Sequence, residues 1–193
     1  MRVTSFDAGA GTPPDRPRAG FGFVVDPRGY VLTHDRVAGN AGMLEVALAD
    51  GRRLAVRQVW RDRLAGVALL KIDLDGVPAL PLGSSAELRV GDRAIALAAP
   101  PGSRATPRWV TIRATGAAVG GDLAFDIPLD PASAGTPLLD PRGRVVGIAA
   151  TDPGASDGGA GGRAIPIDRV KPLLRRTRAG GTIEAVSPVE TFR

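Results

Sequence analysis

A chain of 193 residues with 44% hydrophobic and 23% charged residues can bury a real core, in one large domain or two small ones, and has an ordinary globular composition. It holds no cysteine, which excludes disulfide scaffolds, zinc–thiolate sites and thiol nucleophiles. Its formal charge of +5 is carried almost wholly by arginine, Lys71 and Lys171 being the only lysines.

A basic balance fits an anionic partner, nucleic acid or anionic lipid, but also the arginine and alanine usage of a genome rich in G and C. The basic residues are scattered, with Arg175, Arg176 and Arg178 the one tight cluster, which favours the second reading. With one histidine and no cysteine, a metal site would rest on carboxylates, and no spacing resembles a calcium loop, so no metal or cofactor is expected. No apolar run approaches the ~20 residues of a membrane span. The first residues lack the apolar core of a signal peptide. The expected compartment is the cytoplasm if the chain is complete, and outside it if a targeting segment precedes.

In chain order, residues 1–19 are rich in Gly, Pro and Arg and read as a mobile leader. "FGFVV" and "YVLT" flank the turn Asp26-Pro27-Arg28-Gly29, in which Asp opens, Pro presets φ and Gly closes: a hairpin. "LEVAL" and "LAVRQVW" form a second hairpin around an Asp-Gly turn. "VALLKI" and "AIALAA" read as buried strands and "WVTIRATG" as an alternating one. "TPLLDPRGRVVGIAA" repeats the first hairpin, with its own "DPRG" at Asp140–Gly143. "TDPGASDGGAGGR" is a Gly-rich loop. Beyond it, Val170, Leu173 and Leu174 share one face of a helix starting near Ile167, with Asp168 placed to cap it, Pro172 in or just past the first turn, and Gly180 and Gly181 to stop it. About a dozen short strands and one terminal helix predict an all-β barrel architecture.

These segments, taken in order, resemble the trypsin-like (chymotrypsin-fold) serine protease domain of the bacterial HtrA/DegP-like family from about Phe21 to Arg178. "GFGFVVDPRGYVLT" is similar to its opening hairpin, "VALLKID" to the strand after its catalytic aspartate, "TPLLDPRGRVVGI" to the strands after its nucleophile, and "RAIPIDRVKPLL" to its closing strand and helix. The resemblance implies two six-stranded antiparallel β-barrels with a cleft between them and a C-terminal helix. The expected division is a leader at 1–19, a protease-fold domain at 20–179 (barrels at about 20–85 and 86–166, helix at about 167–179) and a tail at 180–193.

In such enzymes a histidine takes the serine's proton, an aspartate orients the imidazole, and backbone N–H groups hold the oxyanion. The matching positions here are Arg36 for the histidine, Gly66 for the aspartate and Ala134 for the nucleophile. His34 stands two residues early; in a helical turn that rotates its side chain by ~200°. Ser133 stands one residue early. In the oxyanion loop Ala132, Ser133, Ala134 and Gly135, alanine replaces the glycine at 132, and Thr136 replaces a further glycine of the motif. Three substitutions together predict a non-enzyme, a pseudoprotease that binds a protein or extended peptide in the interbarrel cleft, or a neighbouring subunit of an assembly. Two alternatives stay open. One is a serine endopeptidase with a displaced constellation of Ser133 and His34, aided by Asp35 or Asp62. The other is a basic module in which Arg36 and the Arg175–Arg178 cluster hold an anionic partner.

Overall fold

The computed structural model describes residues 1–6, 18–39, 43–98, 106–151, 161–178 and 185–186. The chain divides into two units, Met1–Ala79 with Leu173–Arg193, and Leu80–Pro172.

In the first unit the strands are β1 (Arg2–Phe6), β2 (Arg18–Asp26), β3 (Tyr30–His34), β4 (Met43–Ala47), β5 (Arg53–Asp62) and β6 (Val67–Ile72), with the short helix α1 (Asp35–Ala38) after β3. They pair antiparallel in the ring β1-β2-β3-β6-β5-β4 and back to β1. Closure depends on β5. Its Arg53–Ala55 stretch pairs with β4 and its Val56–Asp62 stretch with β6, with a register shift between Val56 and Gln58 that lets one strand serve both neighbours.

In the second unit β7 (Arg93–Ala98), β8 (Thr106–Thr115), β9 (Leu123–Phe125), β10 (Pro137–Leu139), β11 (Val145–Ala150) and β12 (Gly162–Pro166) close a second six-stranded antiparallel barrel. Its core packs Ala94, Ala96, Val110, Ile112, Leu123, Phe125, Leu138, Val146 and Ala164. Helix α2 (Ile167–Arg178) follows, then β13 (Ala185–Val186), which pairs with β5 at Trp60 and Val59. The fold is therefore the one the resemblance implied: two closed six-stranded barrels and a small C-terminal helix.

The expected leader is corrected at both ends. Arg2–Phe6 is a strand in register between β2 and β4, and Arg18 and Ala19 already belong to β2. Val3 and Ser5 are buried on one face of β1, a period of two too short to stand out beside a Gly- and Pro-rich continuation. Residues 7–17 lie outside the described residues, as does most of the Gly-rich loop, residues 152–160. In the expected tail, Ala185 and Val186 form a strand. The units divide after Ala79, ahead of the expected boundary near residue 85.

The two "DPRG" turns fold by one chemistry. The Gly29 N–H donates to the Asp26 carbonyl at 3.1 Å and the Gly143 N–H to the Asp140 carbonyl at 2.9 Å, each glycine at positive φ. The aspartate side chain then fastens the turn. Asp26 Oδ1 accepts the Arg28 N–H, and Asp140 Oδ1 accepts those of Arg142 and Arg144. At Asp140, burial disfavours the charged form, but the hydrogen bonds from Arg144 and Arg142 outweigh it and hold the carboxyl below its usual range.

Asp168 does more than the expected cap. Its Oδ2 accepts the hydroxyls of Ser84 and Ser85 and the Ala86 N–H, and its Oδ1 meets Lys171 Nζ at 2.5 Å. The capping contact itself comes from Ser85, whose hydroxyl accepts the Asp168 N–H at 3.1 Å. Pro172 is the sixth residue of α2. Burial opposes ionisation of Asp168, yet Lys171, Ala86, Ser85 and Ser84 together hold its carboxyl well below the usual carboxylate range. A carboxylate depressed on folding contributes stability that is complete above its unfolded pKa of about 4 and is lost as pH falls toward the folded value. Asp168→Asn is therefore expected to lower stability at pH 7 and to flatten the decline below about pH 4, read by urea unfolding across that range. An unchanged pH profile would remove Asp168 from the acid response.

Candidate functional site

The residues singled out for chemistry fall in both units. His34, Asp35, Arg36, Asp62 and Gly66 belong to the first, and Ala132, Ser133, Ala134, Gly135 and Thr136 to the second.

In the first unit His34 ends β3, opposite Val67 of β6, and serves as the N-cap of α1. Its backbone is extended at φ −74° and ψ 140°, so the helix begins at Asp35. This corrects the ~200° rotation expected between His34 and Arg36, which assumed helix at both residues. Nδ1 of His34 accepts the Arg36 N–H at 3.1 Å. A ring nitrogen that accepts carries no proton, so Nδ1 is the nitrogen engaged in the cap.

Asp35 is not placed to orient that imidazole. Its two carboxylate oxygens take Nε and Nη2 of Arg61 at 2.5 and 2.8 Å, a two-pronged pair in which both side chains are largely buried. Asp62 ends β5, and its Oδ1 accepts the Ala65 N–H at 2.9 Å, closing the turn that leads to Gly66. Gly66 sits at φ +74°, and its carbonyl accepts the Asp35 N–H at 2.9 Å. This left-handed backbone favours glycine, so a side chain restored there would carry strain of about 1 kcal/mol.

In the second unit the loop from Asp130 to Thr136 is a 3-10 turn, Pro131–Ser133, built by its first residues. Asp130 is its N-cap and Pro131 supplies the preset φ at the first helical position. Asp130 Oδ1 accepts the Ala132 N–H at 2.7 Å, and the Pro131 carbonyl accepts the Ala134 N–H at 3.3 Å. The N–H groups of the nucleophile position and of the residue two before it are thus both turned into the loop itself.

Ser133 and Ala134 are each 0% exposed. Ser133 donates its N–H to the Asp130 carbonyl at 2.7 Å, and its own carbonyl accepts the Thr136 hydroxyl at 2.9 Å. Strand β11 and the residue after it stitch the loop down. Gly135 N–H donates to Ala149 O, Ala149 N–H to Thr136 O, and the Thr151 hydroxyl to Pro131 O, at 3.0, 2.8 and 2.9 Å. The residue that reasoning from sequence passed over is Asp130. The Asp-Pro pair, an N-cap followed by a preset first position, was its available signal. Among the described residues no group of three or more His, Cys, Asp or Glu could hold a metal ion, and no helix is long and apolar enough to cross a membrane.

Residues 20–148 match the family model of the trypsin-like peptidase domain. The chain belongs to the trypsin-like peptidase family. Within it, the relatives are of the HtrA/DegP type. It is 35% identical over 175 residues to a putative serine protease HhoA of Synechocystis sp., covering 85% of this chain and 44% of that protein. It is 31% identical over 178 residues to a probable periplasmic serine endoprotease, DegP-like, of Hahella chejuensis, covering 89% of this chain and 38% of that protein. The chain thus spans less than half the length of these relatives. Two solved structures of the HtrA-type protease AlgW, one with a decapeptide and one with a tripeptide, superpose with TM-scores of 0.77 and 0.78 at 26% and 28% identity. They cover 94% of this chain and 65% and 60% of theirs. Relatives named as serine proteases at this identity overturn the expectation of a non-enzyme, which rested on three substituted positions alone.

Proposed function

We propose that this trypsin-like peptidase domain takes an extended peptide and hydrolyses it in the serine-endopeptidase class of its relatives, with Ser133 as nucleophile and His34 as base in place of Arg36, Gly66 and Ala134 at the family's own positions. The observation that carries the reading is the likeness to serine proteases along nearly the whole chain, including the strands that flank both residues. His34 is the chain's only imidazole, and Ser133 is the hydroxyl adjoining the nucleophile position. The bound decapeptide and tripeptide of AlgW favour a peptide as the ligand, and an extended peptide is held by main-chain hydrogen bonds that do not depend on the triad.

With Ser133 buried, hydrolysis requires the 3-10 turn to unwind and the cap on Nδ1 of His34 to release. Such a turn is a weak element, three residues held by poorly aligned bonds. Unwinding also frees the Ala132 and Ala134 N–H groups for an oxyanion. The test is release of peptides from an unfolded, fluorescein-labelled protein substrate. Wild type is expected to cleave it, and Ser133→Ala and His34→Ala each to lose at least about a hundredfold. Cleavage that survives both substitutions would overturn the assignment.

A further inference from the structure

A second site lies within the second unit. A cavity of about 340 Å³ is lined by Ser84, Glu87, Asp92, Arg93, Arg142 and Arg144 together with Asp140, Pro141, Leu88 and Val146. It falls within the range of small-ligand pockets, roughly 300–1,000 Å³. Three guanidinium groups and three carboxylates meet there, so the ligand preference depends on which charges are already spent.

Of the three carboxylates, Asp140 is ion-paired with Arg144, Glu87 is exposed, and Asp92 keeps its charge in the lining. Asp140 Oδ1 accepts the Arg142 and Arg144 N–H groups at 2.9 and 2.8 Å, and its Oδ2 takes Arg144 Nε at 2.8 Å. Asp92 Oδ2 accepts the Arg89 N–H at 2.8 Å. The Glu87 side chain is 70% exposed and approaches Arg144 Nη2 only at 3.9 Å. The cations are committed differently. Arg142 binds Asp140 through its backbone N–H, which leaves its guanidinium out of that bond. The Arg93 guanidinium lies over the Trp109 ring, its Cζ 4.4 Å from the ring centroid, a cation–π contact that does not use its N–H donors as hydrogen bonds. Arg144 is bound to Asp140 through Nε.

We propose that this cavity is a binding site for a small polyanion bearing phosphate or several carboxylates, held by Arg93 and Arg142 with Arg144 beside them in the lining. Planar guanidinium forks suit the paired oxygens of such groups, and an arginine already held against a ring loses less freedom on binding. The site is separate from the Ser133 loop and does not rest on the proposed hydrolysis.

Isothermal titration of the whole chain at low salt with pyrophosphate and, separately, citrate tests it and distinguishes the two sources. Saturable binding of at least one is expected, weakened at least about tenfold in Arg142→Ala and in Arg93→Gln and reduced by added salt. Both positions are exposed, so the variants are expected to fold, which far-UV circular dichroism checks. A change in Trp109 fluorescence on binding, absent in Trp109→Phe, ties the signal to Arg93 over that ring. No saturable heat from either ligand up to about 10 mM, or binding that both arginine variants leave intact, would overturn the proposal.

Discussion

Phe125→Ala is expected to cost the second barrel about 3–5 kcal/mol, the largest effect of any single truncation in its core. Phe125 ends β9, is 1% exposed and belongs to the cluster formed with Ile112, Leu123 and Leu138. Its ring fills space left by a glycine. A Cβ placed on Gly162 would fall 2.2 Å from Phe125 Cε2, so ring and glycine are matched. Strand pairing from Leu123 to Phe125 against both β8 and β12 keeps the backbone from collapsing into the vacated volume. The cost therefore carries a full cavity contribution in addition to lost transfer energy. Urea unfolding measures it, and a loss under about 1 kcal/mol would mean that the core relaxes around the hole.

Gly29→Ala and Gly143→Ala are expected to differ sharply although they make the same change in the same tetrapeptide. Both glycines have positive φ, 85° and 77°, and share a strain of about 1 kcal/mol on gaining a side chain. Their surroundings differ. A Cβ at Gly29 would meet the carbonyl oxygens of Ile72 and Leu74 at 2.4 and 2.5 Å, whereas at Gly143 it meets nothing within 4 Å. Backbone carbonyls cannot swing aside as a side-chain tip can, and the Gly29 carbonyl is itself bonded to the Ile72 N–H at 3.0 Å. The expected losses are about 3 kcal/mol or more for Gly29→Ala and about 1 kcal/mol for Gly143→Ala, read as a difference in thermal midpoint. Equal losses would show that β6 shifts freely away from the turn.

The hairpins were legible in the sequence because Asp, Pro and Gly act within four residues, so "DPRG" carries its own turn. Buried strands such as "VALLKI" were legible for a similar local reason. Strand β1 was hidden by its neighbours' composition, and β9 by its length of three residues and the "DIPLD" that follows. At the candidate site, the sequence offered only a register argument, the expectation that Arg36, Gly66 and Ala134 match the family's catalytic positions. The positive φ of Gly66 adds a local reason for its glycine. The rest was not legible, because it depends on partners distant in the chain. Arg61 reaches Asp35 across 26 residues, and Thr151 reaches Pro131 across 20. The burial of Ser133 likewise follows from bonds to β11 that no pattern within the loop announces.

The most direct measurement is labelling of the purified chain by a fluorophosphonate probe, which reports an activated serine without any choice of substrate. Wild type is expected to label, slowly because the loop must open, and Ser133→Ala and His34→Ala are expected to lose the label. Wild type that stays unlabelled while an active HtrA-type protease labels alongside it would contradict the assignment of hydrolysis to Ser133 and His34.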